Sequence, residues 1–224
     1  MPEPNGNHPN DTVLCLVRHG ETDWNAERRM QGRSDIPLNE RGLAQARLVA
    51  NRLEGSEWDA IVSSPLARVM GVSRAIARAI GFPEDRIETR DDLVERAFGE
   101  GEGLTLPERT EKFGLDGEIP GIETYEELDA RVMNALREIE RRHRGQRVLV
   151  VAHGGVITAA LEQLSNGEMG HGKSFIRNVS LTTIRVMGDD WRFETINDAE
   201  HLMGTEFEPI EAPVTGSGQA SVRG

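Results

Sequence analysis

Two short runs constrain this chain more than anything else in it: TVLCLV at 12–17 and RVLVVA at 147–152 are apolar almost throughout. A strand with one wet face alternates apolar and polar residues, so runs without alternation belong to a sheet covered on both faces. Three segments carry apolar residues at helical spacing: NERGLAQARLVANRL (39–53), LARVMGVSRAIARAI (66–80) and TYEELDARVMNALREIERRH (124–143). The second is closed by Gly81 and Pro83, WDAIVSS supplies another short strand, and a further helix is expected from near Val156. SLTTIRVM and DWRFETI, parted by Gly188 and two Asp residues, predict a closing hairpin. Strand alternating with helix predicts an α/β fold, a three-layer α/β/α sandwich around a mainly parallel central sheet.

At 224 residues the chain is expected to hold one folded domain over 12–204, between flexible tails at 1–11 and 205–224 rich in Pro, Gly and polar residues. No apolar run approaches the ~18 residues of a membrane span. The N-terminus lacks the basic and apolar regions of a secretory signal, and Cys15 has no second cysteine to pair with, so a cytoplasmic location is expected. A formal net charge of -12 argues against nucleic-acid binding. It says little about one small pocket, where nearby cations outweigh distant, screened charge.

In a parallel α/β sheet ligands gather at the carboxyl ends of the strands. The first run stops at Arg18-His19-Gly20, the second strand at Ser63-Ser64-Pro65 with Arg68 just beyond, and the last at His153-Gly154-Gly155. One such residue would mean nothing. If the three strands are neighbours, two guanidiniums and two imidazoles meet in one crevice, a pocket for a small dianion such as phosphate. The glycines would let backbone N–H groups approach the same anion at a helix start.

The blocks LVRHGETDWNAERRMQGRSDIPLNERGLAQA, SSPLARV, ERAFGEGEG and VLVVAHGGVI resemble, in order and spacing, the signature blocks of the histidine phosphatase superfamily, the branch containing cofactor-dependent phosphoglycerate mutases. The resemblance spans roughly residues 12 to 187. It implies that His19 is the nucleophile, that Arg18 and Arg68 hold the transferred phosphoryl group and that His153 is the second pocket histidine. By the same resemblance Glu95 is the proton donor and Asn25 contacts the substrate phosphate; Gly154 is expected to bind it through its backbone N–H at the helix start. Glu21 could serve pocket architecture as easily as chemistry. No metal or cofactor is implied; the expected partner is a small phosphorylated substrate, with a homodimer possible.

Mutases of this branch carry Glu-Arg-His-Tyr-Gly at the proton donor and a long insertion before the second histidine. This chain has ERAFGEGEG and only LTLPERTEKFGLDGEIPGIETYEEL before its long helix. The expectation is therefore a metal-independent phosphatase acting on phosphomonoesters through a phosphohistidine, with mutase-type transfer or a non-catalytic phosphate-binding protein as alternatives. Leu104, Leu106, Phe113, Leu115 and Ile119 are candidates for the substrate entrance. Two departures stand out. After Arg68, relatives continue Ala-x-Gln-Thr-Ala where this chain has VMGVS, which removes polar groups that could brace the pocket. In FGEGEG, Gly101 stands where relatives carry an aromatic residue.

Overall fold

A computed structural model describes residues 11–207. Apart from Asp11 and Thr205–Phe207, the tails expected at either end lie outside the described residues. The strands are β1 (Thr12–Arg18), β2 (Ala60–Ser63), β3 (Glu88–Thr89), β4 (Arg147–Ala152), β5 (Leu181–Met187) and β6 (Asp190–Asp198). They form one sheet in the order β3-β2-β4-β1-β5-β6. The first four are mutually parallel, and the β5–β6 hairpin closes the sheet antiparallel to β1.

Burial on both faces is the reason for the unbroken apolar runs. On one face Leu14, Leu16, Val62, Val148 and Val150 pack against α5 (Tyr125–Arg142) and α6 (Gly154–Leu164). On the other, Cys15, Val17, Ile61, Leu149 and Val151 pack against α2 (Glu40–Leu53) and α3 (Ala67–Ile80). Each such aliphatic side chain contributes roughly 1.5–3 kcal/mol on burial. With both faces buried, register is fixed by the fit of each layer and the three-layer sandwich follows.

Local chemistry sets the helix ends. The Asn39 side chain accepts from the Gly42 N–H at 2.8 Å and caps α2, while Gly81 ends α3 at φ 71°. Thr124 and Glu127 form a capping box at the start of α5. The helix expected from near Val156 begins two residues earlier, at Gly154, because its first two residues are glycines with no side chain to carry a periodicity. Shorter elements escaped the pattern altogether: α1 (Asp23–Ala26), α4 (Leu106–Phe113) and the two-residue β3.

The register aligns the strand ends. Arg18 lies opposite Ala152 and Ser63 opposite Val151. The His19 N–H donates to the Ala152 carbonyl at 3.1 Å and the Ser64 N–H to that of Val151 at 3.0 Å. His19, His153 and Ser64 therefore leave three adjacent strands at one level.

The His19 loop then runs against the start of α2 without intervening side chains. A Cβ at Gly20 would stand 2.6 Å from the Gly42 oxygen, and one at Gly42 only 2.0 Å from that of Glu21. Backbone cannot yield there cheaply, so Gly42→Ala is expected to destabilise the fold by about 2–3 kcal/mol. A lower urea midpoint at unchanged slope would record this; an unaltered midpoint would contradict the contact.

Candidate active site

The strand ends bring His19 and His153 together with ring centroids 5.3 Å apart and planes inclined at 65°. His19 Nδ1 lies 2.7 Å from the Gly20 carbonyl oxygen. A carbonyl can only accept, so Nδ1 carries the proton and Nε2 keeps its lone pair. The ring is 3% exposed. Burial first, then the Arg18 and Arg68 charges, hold the His19 pKa well below the ordinary imidazole value, although the Gly20 bond opposes them. His153 is also pushed well down, by burial and then chiefly by Arg68 and His19. Both rings are thus neutral over the physiological range.

The two guanidiniums are held by carbonyls rather than carboxylates. Arg18 Nη1 donates to the Ile176 carbonyl. Arg68, fully buried at the first turn of α3, donates to the Gly32 and Ser34 carbonyls at 2.7 and 2.8 Å. Burial pulls the Arg68 pKa down to about 10 and lowers that of Arg18. Among the described residues, Arg18 Nε, Arg68 Nε, His153 Nδ1 and Gln31 Nε2 are buried without a hydrogen-bond partner. Buried polar groups seldom stand unpaired. The two guanidinium nitrogens belong to fixed cations, and an oxyanion between them fits that chemistry.

Glu95 is 8% exposed. Its Oε1 accepts from the Arg96 N–H at 2.8 Å and its Oε2 from the Gly155 N–H at 3.2 Å. Burial raises its pKa and prevails over these two N–H bonds and the charges of Arg68 and Arg18. The sequence leaves that contest open; desolvation decides it. A Cβ at Gly155 would lie 2.1 Å from Glu95 Oε1, so this glycine admits the carboxyl. Gly154 opens α6 beside the cations, where a Cβ would stand 3.4 Å from Arg18 Nε.

Asn25 sits at the rim. Its Oδ1 accepts from Thr22 N–H at 3.3 Å and, at 3.5 Å, from Asn178 Nδ2, which also donates to the His19 carbonyl at 3.0 Å. Glu21, by contrast, accepts from Asn39 Nδ2 at 3.0 Å and pairs with Arg41 at 3.5 Å. It serves architecture.

Several residues that position the site were not singled out from sequence. Ser64 Oγ lies 2.8 Å from His153 Nε2 and orients that ring. Arg131 of α5 pairs with Glu123 at 2.8 Å and donates to the Val94 carbonyl, fixing the segment that carries Glu95. Glu102 accepts from Arg33 N–H, Ser34 N–H and Phe98 N–H, tying the loop that holds Arg68 to the segment beyond Glu95. Burial opposes its charge, yet these donors and the Ser34 hydroxyl leave its pKa lowered. The Ser-Ser pair at the strand end was the available signal for Ser64. Glu102 and Arg131 gave none, since charged residues on helices and loops are ordinarily solvated.

The fold and this pocket together define the class: the chain belongs to the histidine phosphatase superfamily, whose branch 1 family model matches residues 14–199. It is 39% identical over 193 residues to an uncharacterized phosphatase, PhoE, of Bacillus subtilis, covering 86% of this chain and 98% of that one. It is 37% identical over 208 residues to a metal-independent phosphoserine phosphatase of Arabidopsis thaliana, covering 88% and 85%. Among solved structures, Bacillus stearothermophilus YhfR superimposes with a TM-score of 0.77 at 30% identity, covering 85% of this chain and 99% of that one.

Removing the Ser64 hydroxyl leaves a buried ring nitrogen unpaired, at a cost of about 1–3 kcal/mol. Ser64→Ala is therefore expected to lower the melting temperature and weaken vanadate binding, both measurable by thermal melts with and without the oxyanion. Wild-type behaviour in both would remove Ser64 from the positioning network.

Proposed function

We propose that the chain hydrolyses phosphomonoesters without a metal, through a phosphohistidine on His19. One observation carries the reading: the Gly20 carbonyl fixes the His19 tautomer so that an unprotonated Nε2 is available beside two buried guanidiniums. The metal-independent activity named for the Arabidopsis relative supports it. The folded unit 12–204 would form the catalytic body, and the lone buried Cys15 agrees with a cytoplasmic location. Among the described residues no helix is long and apolar enough to cross a membrane.

In the first step His19 Nε2 attacks phosphorus in line and the bond from phosphorus to the ester oxygen breaks. Arg18, Arg68 and His153 Nδ1–H face the charge on the equatorial oxygens, with the Gly154 amide and Asn25 as further donors. Glu95, whose pKa burial raises, in its protonated form gives its proton to the leaving alkoxide. In the second step Glu95 takes a proton from water as that water attacks phosphorus. The P–N bond breaks, and inorganic phosphate and the starting protonation states are restored.

His19→Ala is expected to lose at least ~10³-fold in turnover of p-nitrophenyl phosphate in EDTA. Acid-labile, base-stable label on wild type but not on the variant, after a quench from radiolabelled substrate, would demonstrate the intermediate. Turnover surviving in the variant would exclude the assignment.

Glu95 also predicts a pH signature. Its folded pKa is raised above the unfolded value of about 4.3. The folded state therefore binds the proton more tightly, and stability falls as pH rises from the unfolded value through the folded one. Glu95→Gln should raise the melting temperature more at pH 7 than at pH 4, while reducing alkyl phosphate turnover roughly 10²–10⁴-fold. Equal melting shifts at both pH values would contradict the raised pKa.

A further inference from the structure

Arg18 rests on little. Among the described residues its side chain makes one hydrogen bond, from Nη1 to the Ile176 carbonyl, and its Nε is buried without a partner. Arg68, by comparison, donates to two carbonyls. Whatever fixes the Ile176 peptide therefore fixes where the Arg18 guanidinium points. Residues 174–177 belong to no helix or strand, so their backbone groups must find partners outside any regular ladder.

Ile176 is anchored by its own side chain, 3% exposed in the core, and by one residue far along the chain. The Asn197 amide grips the backbone on either side of it. Its Oδ1 accepts from the Arg177 N–H at 2.7 Å and its Nδ2 donates to the Phe175 carbonyl at 3.0 Å. Only this orientation of the amide satisfies both bonds. A neighbouring strand would use the same kind of pair, a C=O and an N–H from one edge of the segment. One side chain thus does for residues 175–177 what a β-ladder does elsewhere, and leaves the intervening carbonyl to Arg18. The Phe175 side chain, 77% exposed, adds little anchorage.

The backbone of β6 explains how a residue of the edge strand comes to reach this segment. Between the pairs Leu181–Asp198 and Thr183–Thr195, β5 has one residue and β6 has two, so β6 carries a bulge, a device that re-aims side chains. Asn197 sits in it at φ 55°, with its N–H on the Thr182 hydroxyl at 3.1 Å. Glycine adopts this conformation most readily, and asparagine is among the few other residues that tolerate it. An asparagine where glycine would serve the backbone points to the side chain as the reason. The gripped segment then returns to the pocket at Val179, buried although held at φ 53°, whose N–H donates to the Arg18 and His19 carbonyls at 3.1 and 3.3 Å.

We infer that Asn197 is a positioning residue for phosphoryl transfer: by holding the Phe175 and Arg177 backbone it sets the Ile176 carbonyl, and through it the aim of the Arg18 guanidinium. This rests on the phosphatase reading above and extends it to a residue of the edge hairpin that acts only through Arg18.

Asn197→Gly removes the amide and suits the backbone, so the variant is expected to fold. Combined with Arg18→Gln it makes a double-mutant cycle, read as kcat and KM for p-nitrophenyl phosphate and as the dissociation constant of vanadate. A guanidinium misaligned with charge that develops in the transition state lowers kcat more than it raises KM. The expected fall in kcat is about tenfold or more in the wild-type background, with weaker vanadate binding, and no further fall in the Arg18→Gln background. Asn197→Asp, which keeps the acceptor for Arg177 but not the donor to Phe175, should lie between wild type and the glycine variant. Ile139→Val, a core change remote from this segment, should lower stability and leave kcat unchanged. Unaltered kcat and vanadate affinity in Asn197→Gly overturn the inference, and so does an equal loss in both backgrounds. Nitrogen NMR of the unliganded protein carrying labelled arginine reads the grip without turnover: the Arg18 Nε–H resonance, assigned by its absence in Arg18→Gln, should move in Asn197→Gly. If wild type neither turns over the ester nor binds vanadate, the phosphatase reading fails, while that resonance still supports the grip by moving or overturns it by staying in place.

Discussion

Two guanidiniums buried without a carboxylate partner are the feature on which the rest of this structure depends. Taking a charge out of water is costly, and Arg18 and Arg68 recover only part of that cost from the carbonyls of Ile176, Gly32 and Ser34. Their pKa values fall in consequence, Arg68 to about 10. Burial first, and the field of these cations after it, keeps both imidazoles neutral, and the arginines leave directed N–H groups facing one small volume. An oxyanion entering that volume meets donors already in place, which is how electrostatic preorganisation lowers a barrier. It would also stabilise the folded state by mass action.

Holding unpaired cations requires a framework that cannot relax around them. The parallel pairing of β1, β4 and β2 sets the level at which the pocket residues leave the sheet. Around it, close backbone contacts and buried hydrogen bonds do the fixing. Glu21 braces the cap of α2, Glu102 ties the Arg68-holding loop to the segment after Glu95, and Arg131 grips that segment from α5. None of these needs to touch a substrate. Each removes a direction in which the donors could drift.

The VMGVS segment shows how a motif departure can be absorbed. Val72 is buried in the core between α2, α3 and the sheet. Gly71 allows close packing by Leu38, since a Cβ there would come 2.9 Å from Leu38 Cδ1. That loop carries the Ser34 carbonyl on which Arg68 rests. A residue later, Ser73 Oγ lies 2.8 Å from Ser63 Oγ and pins the end of β2 beside Ser64. Bracing expected to be lost is thus supplied by a different pair of residues, and Arg68 keeps its place.

The sequence by itself determined the layers and the contents of the pocket. Unalternating runs demanded a sheet buried on both faces, and residues following β-runs were bound to gather once those strands lay parallel. Strand ends also placed Arg18, His19 and His153, with Arg68 just beyond one of them, whereas Glu95 and Asn25 were legible only through the resemblance of their motifs. Tertiary structure alone decided the direction of the Glu95 pKa shift, the part played by Glu21 and the partner of His153. Those depend on desolvation and on contacts between residues as far apart as Ser64 and His153. Separation along the chain carries no information about such distances, and burial cannot be assigned to a charged side chain until the surfaces around it are known.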